Sequence, residues 1–252
     1  MMKNINFKER WIEAVIFAIG LATIICGWCL SAFEMWKNVL VSIGCSMVAS
    51  AVISFVYNSY NEKENVLKSW GVDKVYKTRT EKSKDSDPKL TKAKEHLDIV
   101  AFGLKSFRSG HRNEMLQCLK NGVNVRIITM DPDSEFAICR ANEENETLEQ
   151  ISHSIRDLFE WSRELNAEAK TLSKKPGQIR IMKYNCMTLD FYWRCDDELY
   201  FGPYLLNKDS QQTITFRAVK GGKLFEMYTD YFEELWKNER FIQNVNLEDK
   251  SD

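Results

Sequence analysis

Two carboxylates, Asp190 and Asp197, stand in the stretch T-L-D-F-Y-W-R-C-D-D-E-L-Y-F-G-P-Y from Thr188 to Tyr204. With His111 they are the groups able to do acid–base or nucleophilic work on a phosphodiester. Lys105 and Arg108, just before His111 and Arg112, can hold a phosphate, helped by the N-terminus of the next helix. Asp131, Tyr192 and Arg194 add hydrogen-bonding groups for a small-molecule pocket. A structural role fits the same residues: a solvated basic turn after Gly103, and acid–base pairs joining Asp190 to Arg194, or Asp131 to an arginine, that hold loops together. His96, His111 and His153 have no metal-ligand spacing to a partner, so no metal site is expected, nor any cofactor.

These residues need a scaffold. Alternation of apolar and polar residues on either side of Asp196-Asp197 reads as two strands joined by a tight acidic turn. Alternation also puts Asp190, Tyr192 and Arg194 on one strand face, opposite Phe191 and Trp193. Upstream, Leu97–Gly103 and Val123–Met130 read as buried strands, with a helix at Asn113–Lys120 between them. Leu90–His96 reads as helical, with Asp87-Pro88 as N-cap and first helical position. The apolar spacing of Leu148, Ile151, Ile155, Leu158 and Leu165 predicts a long amphipathic helix, ended by Pro176-Gly177. Strands at Gln178–Tyr184 and Gln212–Val219 and a last helix presenting Phe225, Tyr228, Tyr231, Phe232, Leu235 and Trp236 complete the pattern. The order predicts an α/β domain with a mixed sheet over residues 88–247.

The element order and the hairpin spacing resemble the phospholipase D superfamily. That family carries His-x-Lys-x4-Asp on such a hairpin, followed by a Gly-Ser-x-Asn-like corner. The resemblance places Asp190 at the nucleophilic His, Tyr192 at the phosphate-holding Lys, and Asp197 at the Asp, with Gly202-Pro203-Tyr204 at the corner. It covers roughly Val72 to Arg240. A carboxylate at the nucleophile position repels a phosphodiester and cannot form a phospho-histidine. The resemblance therefore implies a phospholipase D-like fold without phosphodiesterase chemistry. Since the family's site needs two motif copies, it also implies a dimer.

Ahead of this domain lie two uncharged runs, Ala14–Phe33 and Asn38–Asn61, each long enough to cross a bilayer. Spans at about 12–33 and 38–58, joined by Glu34–Lys37, make a hairpin within residues 1–60; residues 61–87 form a charged connector. Within the connector, Tyr60–Trp70 can continue the second helix, Gly71 breaks it, Val72–Thr80 has an extended pattern, and Glu81–Asp87 reads as a polar loop. Lys3, Lys8 and Arg10 precede the first span, and Lys63, Lys68, Lys74, Lys77 and Arg79 follow the second. This predicts an inner-membrane protein with both termini in the cytoplasm. Gly44, Val48 and Ala51 fall near one face of the second span, where small residues allow close association with another copy. The hydroxyls of Ser42, Ser46, Ser50 and Ser54 can equally line a wet pathway. Cys26 and Cys29 read as helix-packing residues.

Lys+Arg 35 against Asp+Glu 36 does not suggest bulk nucleic-acid binding driven by counterion release, and leaves room for a local basic patch. The architecture is similar to that of bacterial anti-phage effectors, in which a cytoplasmic sensor controls a short membrane hairpin. The expected partners are the lipid bilayer, further copies of the chain, and a nucleotide or phosphate-bearing signal or a defence-system protein. The alternatives are a divergent phosphodiesterase, nuclease or phospholipase using Asp190, Asp197 and His111, and a scaffold that recruits a partner to the membrane.

Overall fold

A computed structural model describes residues 3–29, 34–187 and 190–248, with side chains at 3–10 and 59–66 left aside. Its contacts divide the chain into two compact units, 1–67 and 68–252.

The first unit is a helical hairpin of α1 (Lys3–Cys29) and α2 (Glu34–Ser69). Trp11–Cys29 and Glu34–Asn58 are long and apolar enough to cross a membrane, with mean hydropathy 2.1 and 2.3. Trp11, Ile12, Trp28, Met35, Ile53 and Tyr57 are all exposed, so these helices are not the buried core of a soluble domain. Glu34–Lys37 is the first turn of α2 rather than the link; α1 ends at Cys29, and residues 30–33 lie outside the described residues. Gly44, Val48 and Ala51 face α1 of the same hairpin. A Cβ on Gly44 would lie 2.6 Å from Ile24 Cγ1 and 2.7 Å from the Gly20 carbonyl, and one on Gly20 would lie 2.9 Å from Val48 Cγ2. The small-residue face is thus occupied within the chain.

The second unit is an α/β layer structure around one eight-stranded mixed sheet, ordered β1-β7-β6-β5-β2-β3-β4-β8. Its strands are β1 (Val72–Tyr76), β2 (Leu97–Val100), β3 (Val125–Met130), β4 (Ile179–Tyr184), β5 (Asp190–Cys195), β6 (Glu198–Pro203), β7 (Thr215–Val219) and β8 (Ile242–Asn244). Only β2–β3 and β3–β4 pair in parallel. The intervening helices are α3 (Arg79–Leu90), α4 (Lys105–Gly110), α5 (Arg112–Lys120), α6 (Glu135–Glu144) and α7 (Leu148–Leu172), and α8 (Lys223–Trp236) follows β7. One sheet face, bearing Phe191 and Trp193, meets Lys82 of α3 and Phe107 of α4, which in turn packs edge-on against Trp161 of α7. The opposite face, bearing Tyr192, Arg194 and Phe201, is covered by Phe225, Tyr228 and Phe232 of α8.

The hairpin sits centrally. Phe191–Cys195 and Leu199–Gly202 are buried on both faces, and β5 pairs with β2 on one side and β6 on the other. Asp196 takes a left-handed φ of 49° to close the turn. Its carboxylate accepts from the backbone N–H groups of Lys94, Glu95 and His96, each at 2.9 Å. Burial works to raise this carboxyl, but the three N–H groups hold it below the ordinary range. At the sheet's edge, Gly71 (φ +80°) crosses Gly222 so closely that a Cβ on Gly71 would meet the Gly222 Cα at 2.6 Å. There the Gly71 carbonyl accepts from Val219 N at 3.0 Å and the Trp70 carbonyl from Leu224 N at 3.1 Å.

Several elements differ from the pattern read in the sequence. Glu81–Asp87 is the middle of α3 and not a polar loop; Pro88 lies inside that helix, so Asp87 is no N-cap. The helix expected at Leu90–His96 ends at Leu90, and turns follow. The extended segment from Val72 stops at Tyr76, α4 stands where a basic turn was read, and β8 adds a further edge strand. Leu148 and Tyr231 are exposed rather than buried.

Candidate functional site

The strand positions of β5 decide what the predicted residues can do. Asp190, Tyr192 and Arg194 do share a face, and α8 covers it. The Asp190 carboxylate accepts from the Tyr228 hydroxyl. Tyr192 is fully buried and stacks on Phe232, ring centroids 5.1 Å apart. Arg194 lies 3.7 Å from Asp98 and donates to the Asp196 carbonyl at 3.0 Å. Asp98, itself buried, receives a two-pronged contact from Arg126 at 2.7 and 2.9 Å; Arg126 also reaches Glu233 at 2.6 Å. This is a satisfied ion network beneath a helix. Asp197 lies in the turn at the far end of β5, exposed beside Lys220 at 2.8 Å. Asp190 and Asp197 are separated by the length of the strand, about 20 Å, and do not act on one atom.

The other predicted residues belong to different neighbourhoods. Lys105 is exposed on α4. Arg108 donates to the Gly103 carbonyl at 2.8 Å and the Ser154 carbonyl at 3.2 Å, with Asp157 at 3.4 Å, which ties α4 to α7. His111 stacks on Phe107 and holds Asp87 of α3 at 2.9 Å. Asp131 pairs with Lys183 at 3.3 Å and accepts from Asp133 N at 3.1 Å. The acid–base pairs expected between loops therefore exist, but with other partners.

A second cluster was not anticipated. Arg79 and Lys82 of α3 and Arg140 of α6 are each at most 4% exposed. The Arg79 guanidinium lies 4.4 Å from the ring centres of both Phe191 and Tyr204; Arg140 lies 4.8 Å from Tyr204 and 5.0 Å from Phe102. Cation and ring thus alternate in one stack from Phe191 to Phe102. Lys82 Nζ lies 4.2 Å from the Trp193 ring centre, 5.1 Å from Tyr200 and 5.5 Å from Phe191. Burial pushes its ammonium down to about 7, against the opposing charge of Asp87. Arg140 is met by Glu143 at 3.0 Å and by Glu144. Among the described residues no carboxylate lies within ion-pair distance of Arg79 or Lys82; Arg79 donates to the Pro203 carbonyl at 3.1 Å. The Nε groups of Arg79 and Arg140 have no hydrogen-bond partner among the described residues. Buried cations with unused N–H groups complement an anion with several oxygens.

The stack stands where β2 and β3 end and β6 runs out, the side of an α/β sheet on which ligands bind. A strap from Leu205 to Gln212 runs beside it. Ser210 receives Arg140 at 3.1 Å and donates to Glu144 at 2.6 Å, while Asn207 N donates to the Glu143 carbonyl at 3.0 Å. One signal for α3 was present in the sequence. Thr78-Arg-Thr-Glu81 has capping-box form; Thr78 Oγ1 accepts from Glu81 N at 3.1 Å, and Glu81 accepts from Lys77 N at 2.9 Å.

No family model matches the chain, and no curated protein does. Among solved structures, the chain is similar to TrmBL2, an archaeal chromatin protein whose structure was described as showing a novel mode of DNA binding. The TM-score is 0.41 at 13% identity, over 82% of this chain and 69% of that one.

Proposed function

We propose that the chain is a membrane-anchored, non-catalytic phospholipase D-like protein of the inner membrane, acting as a gated effector of the kind used in bacterial anti-phage defence. A phosphate-bearing signal engages Arg79, Lys82 and Arg140 once the 205–212 strap yields, the assembly of copies changes, and the apolar hairpins breach the bilayer. One observation carries the non-catalytic reading. The residues at the family's nucleophile and phosphate-holding positions, Asp190 and Tyr192, are committed to Tyr228 and Phe232. The cations with unused donors lie on the other face of the sheet. Two helices long and apolar enough to span a membrane support the effector part.

The test uses the full chain. Overexpressed wild type should admit a membrane-impermeant dye and collapse the membrane potential when its trigger is present. Lys82→Met, which keeps the packing volume but removes the charge, should leave the chain inserted and silent. Purified protein should leave bis(p-nitrophenyl) phosphate intact. Turnover that disappears in Asp197→Asn would establish the phosphodiesterase alternative instead, and intact membranes under every condition would leave only an anchor.

A further inference from the structure

Glu13 is the only charged residue between Trp11 and Cys29. It is 8% exposed, turned toward α2. Its Oε1 accepts from Ser54 Oγ at 2.9 Å and from the Asn58 amide. Its Oε2 is buried and has no hydrogen-bond partner among the described residues. An ionisable group inside an apolar hairpin is costly, and one oxygen left unpaired makes it more so. Such a group persists when a cation neutralises it for part of its working cycle.

The sequence of α2 extends this site. Ser42, Ser46, Ser50, Ser54 and Asn58 recur every fourth residue, so each lies over the next along the helix. At 1.5 Å per residue the line covers about 24 Å, most of a hydrocarbon core of about 30 Å. An open groove of about 390 Å³ runs along the Ser42–Ser50 part of this line, one turn short of Ser54, lined by Ile16, Ser42, Ile43, Ser46, Met47 and Ser50. Ser46 donates its hydrogen to the Ser42 carbonyl at 2.9 Å, which leaves its lone pairs for the groove. Oxygen lone pairs leading to a half-satisfied carboxylate are the chemistry of a cation.

We infer that Glu13, with Ser54 and Asn58, is a binding site for a monovalent cation, a proton or an alkali ion, reached along the Ser50–Ser46–Ser42 groove. This rests on the reading that the hairpin sits in a bilayer, and not on the effector activity. The experiment is infrared difference spectroscopy of the full chain in phosphatidylethanolamine–phosphatidylglycerol vesicles, wild type against Glu13→Gln, with insertion confirmed by resistance to carbonate extraction. A pH titration without alkali ions reads the proton; a potassium titration at fixed pH reads the alkali ion. A carboxyl band absent from Glu13→Gln should respond to one of the two, and Ser54→Ala should move its midpoint about tenfold. Ser50→Leu, which plugs the groove, should leave the midpoint in place and slow the response to a concentration step at least tenfold. A Glu13 band that is ionised throughout, or protonated throughout, overturns the site; an unslowed Ser50→Leu overturns the route. A chain that carbonate extracts sinks the membrane reading itself and is thereby told apart from failure of the site.

Discussion

Lys82 carries an ammonium group that is buried among aromatic rings, 3% exposed. Three rings surround its ammonium, and burial pushes it down to about 7 from an ordinary 10.5. Between those values the unfolded chain keeps a proton that the folded chain releases, so this group makes stability rise with pH, by at most about 1.4 kcal/mol per unit. Below about 7 both states carry the proton and the penalty is at its full, constant size. Lys82→Met should therefore stabilise the protein most at and below neutral pH, with the advantage shrinking toward pH 10. Cys118 and Cys195, pushed up to about 12 by burial, act in the opposite sense above their ordinary value of 9.0, so the pair of proteins must be compared and not the wild type alone. Denaturant titrations of both proteins at several pH values give the difference directly; a gap that does not vary with pH would refute the desolvated ammonium.

At the scale of elements, the membrane hairpin is held by backbone approach. The space a Cβ on Gly44 needs is filled by Ile24 and by the Gly20 carbonyl, and a carbonyl cannot step aside. Gly44→Ala should cost the hairpin about 1–3 kcal/mol through overpacking, and Gly44→Leu should part the helices. Ile43→Leu, at an exposed neighbour, should do neither. Energy transfer between labels on the two helices, followed through thermal unfolding, would distinguish these; a Gly44→Leu hairpin with unchanged transfer would show the contact to be dispensable. The legibility of each element follows from what it buries. The central hairpin, β3, β4, α5 and α7 were readable because their inward residues are apolar at strand or helix spacing. α3 was not, because its inward residues are Arg79, Lys82, Ser86 and Leu90. Those four keep a helical period, but three are polar, so a search for apolar periodicity passes over them. The cation stack was missed for the same reason, while Asp190, Tyr192 and Arg194 were placed on a common face by strand alternation alone. Their partners Tyr228, Phe232 and Asp98 are distant in sequence, and only the sheet brings them together.

At the scale of the whole molecule, the prediction is one of sidedness. The basic residues gather in the first part of α1 and after the apolar part of α2, which predicts a cytoplasmic C-terminus and an outer-side location for the stretch between Cys29 and Glu34. A phosphatase reporter fused after Asp252 should be silent, and a tag inserted between Cys29 and Glu34 should be open to protease added to whole spheroplasts. An active reporter would reverse the orientation and with it the compartment in which a signal could meet Arg79, Lys82 and Arg140.

The crossing of Gly71 and Gly222 also has mechanical meaning. α2 runs to Ser69, and the next two residues are hydrogen-bonded both to the end of β7 and to the first turn of α8. Trp70 and Gly71 thus tie the start of β1, an edge strand whose register slips between Val72 and Lys74, to β7 and α8 at one joint. Two glycine backbones in contact have no side chains to cushion them, so the joint is stiff in compression. In tension it is held by the Val219–Gly71 and Leu224–Trp70 hydrogen bonds. The joint therefore fixes the first turn of α8, the helix that clamps Asp190, Tyr192 and the Asp98–Arg126 network.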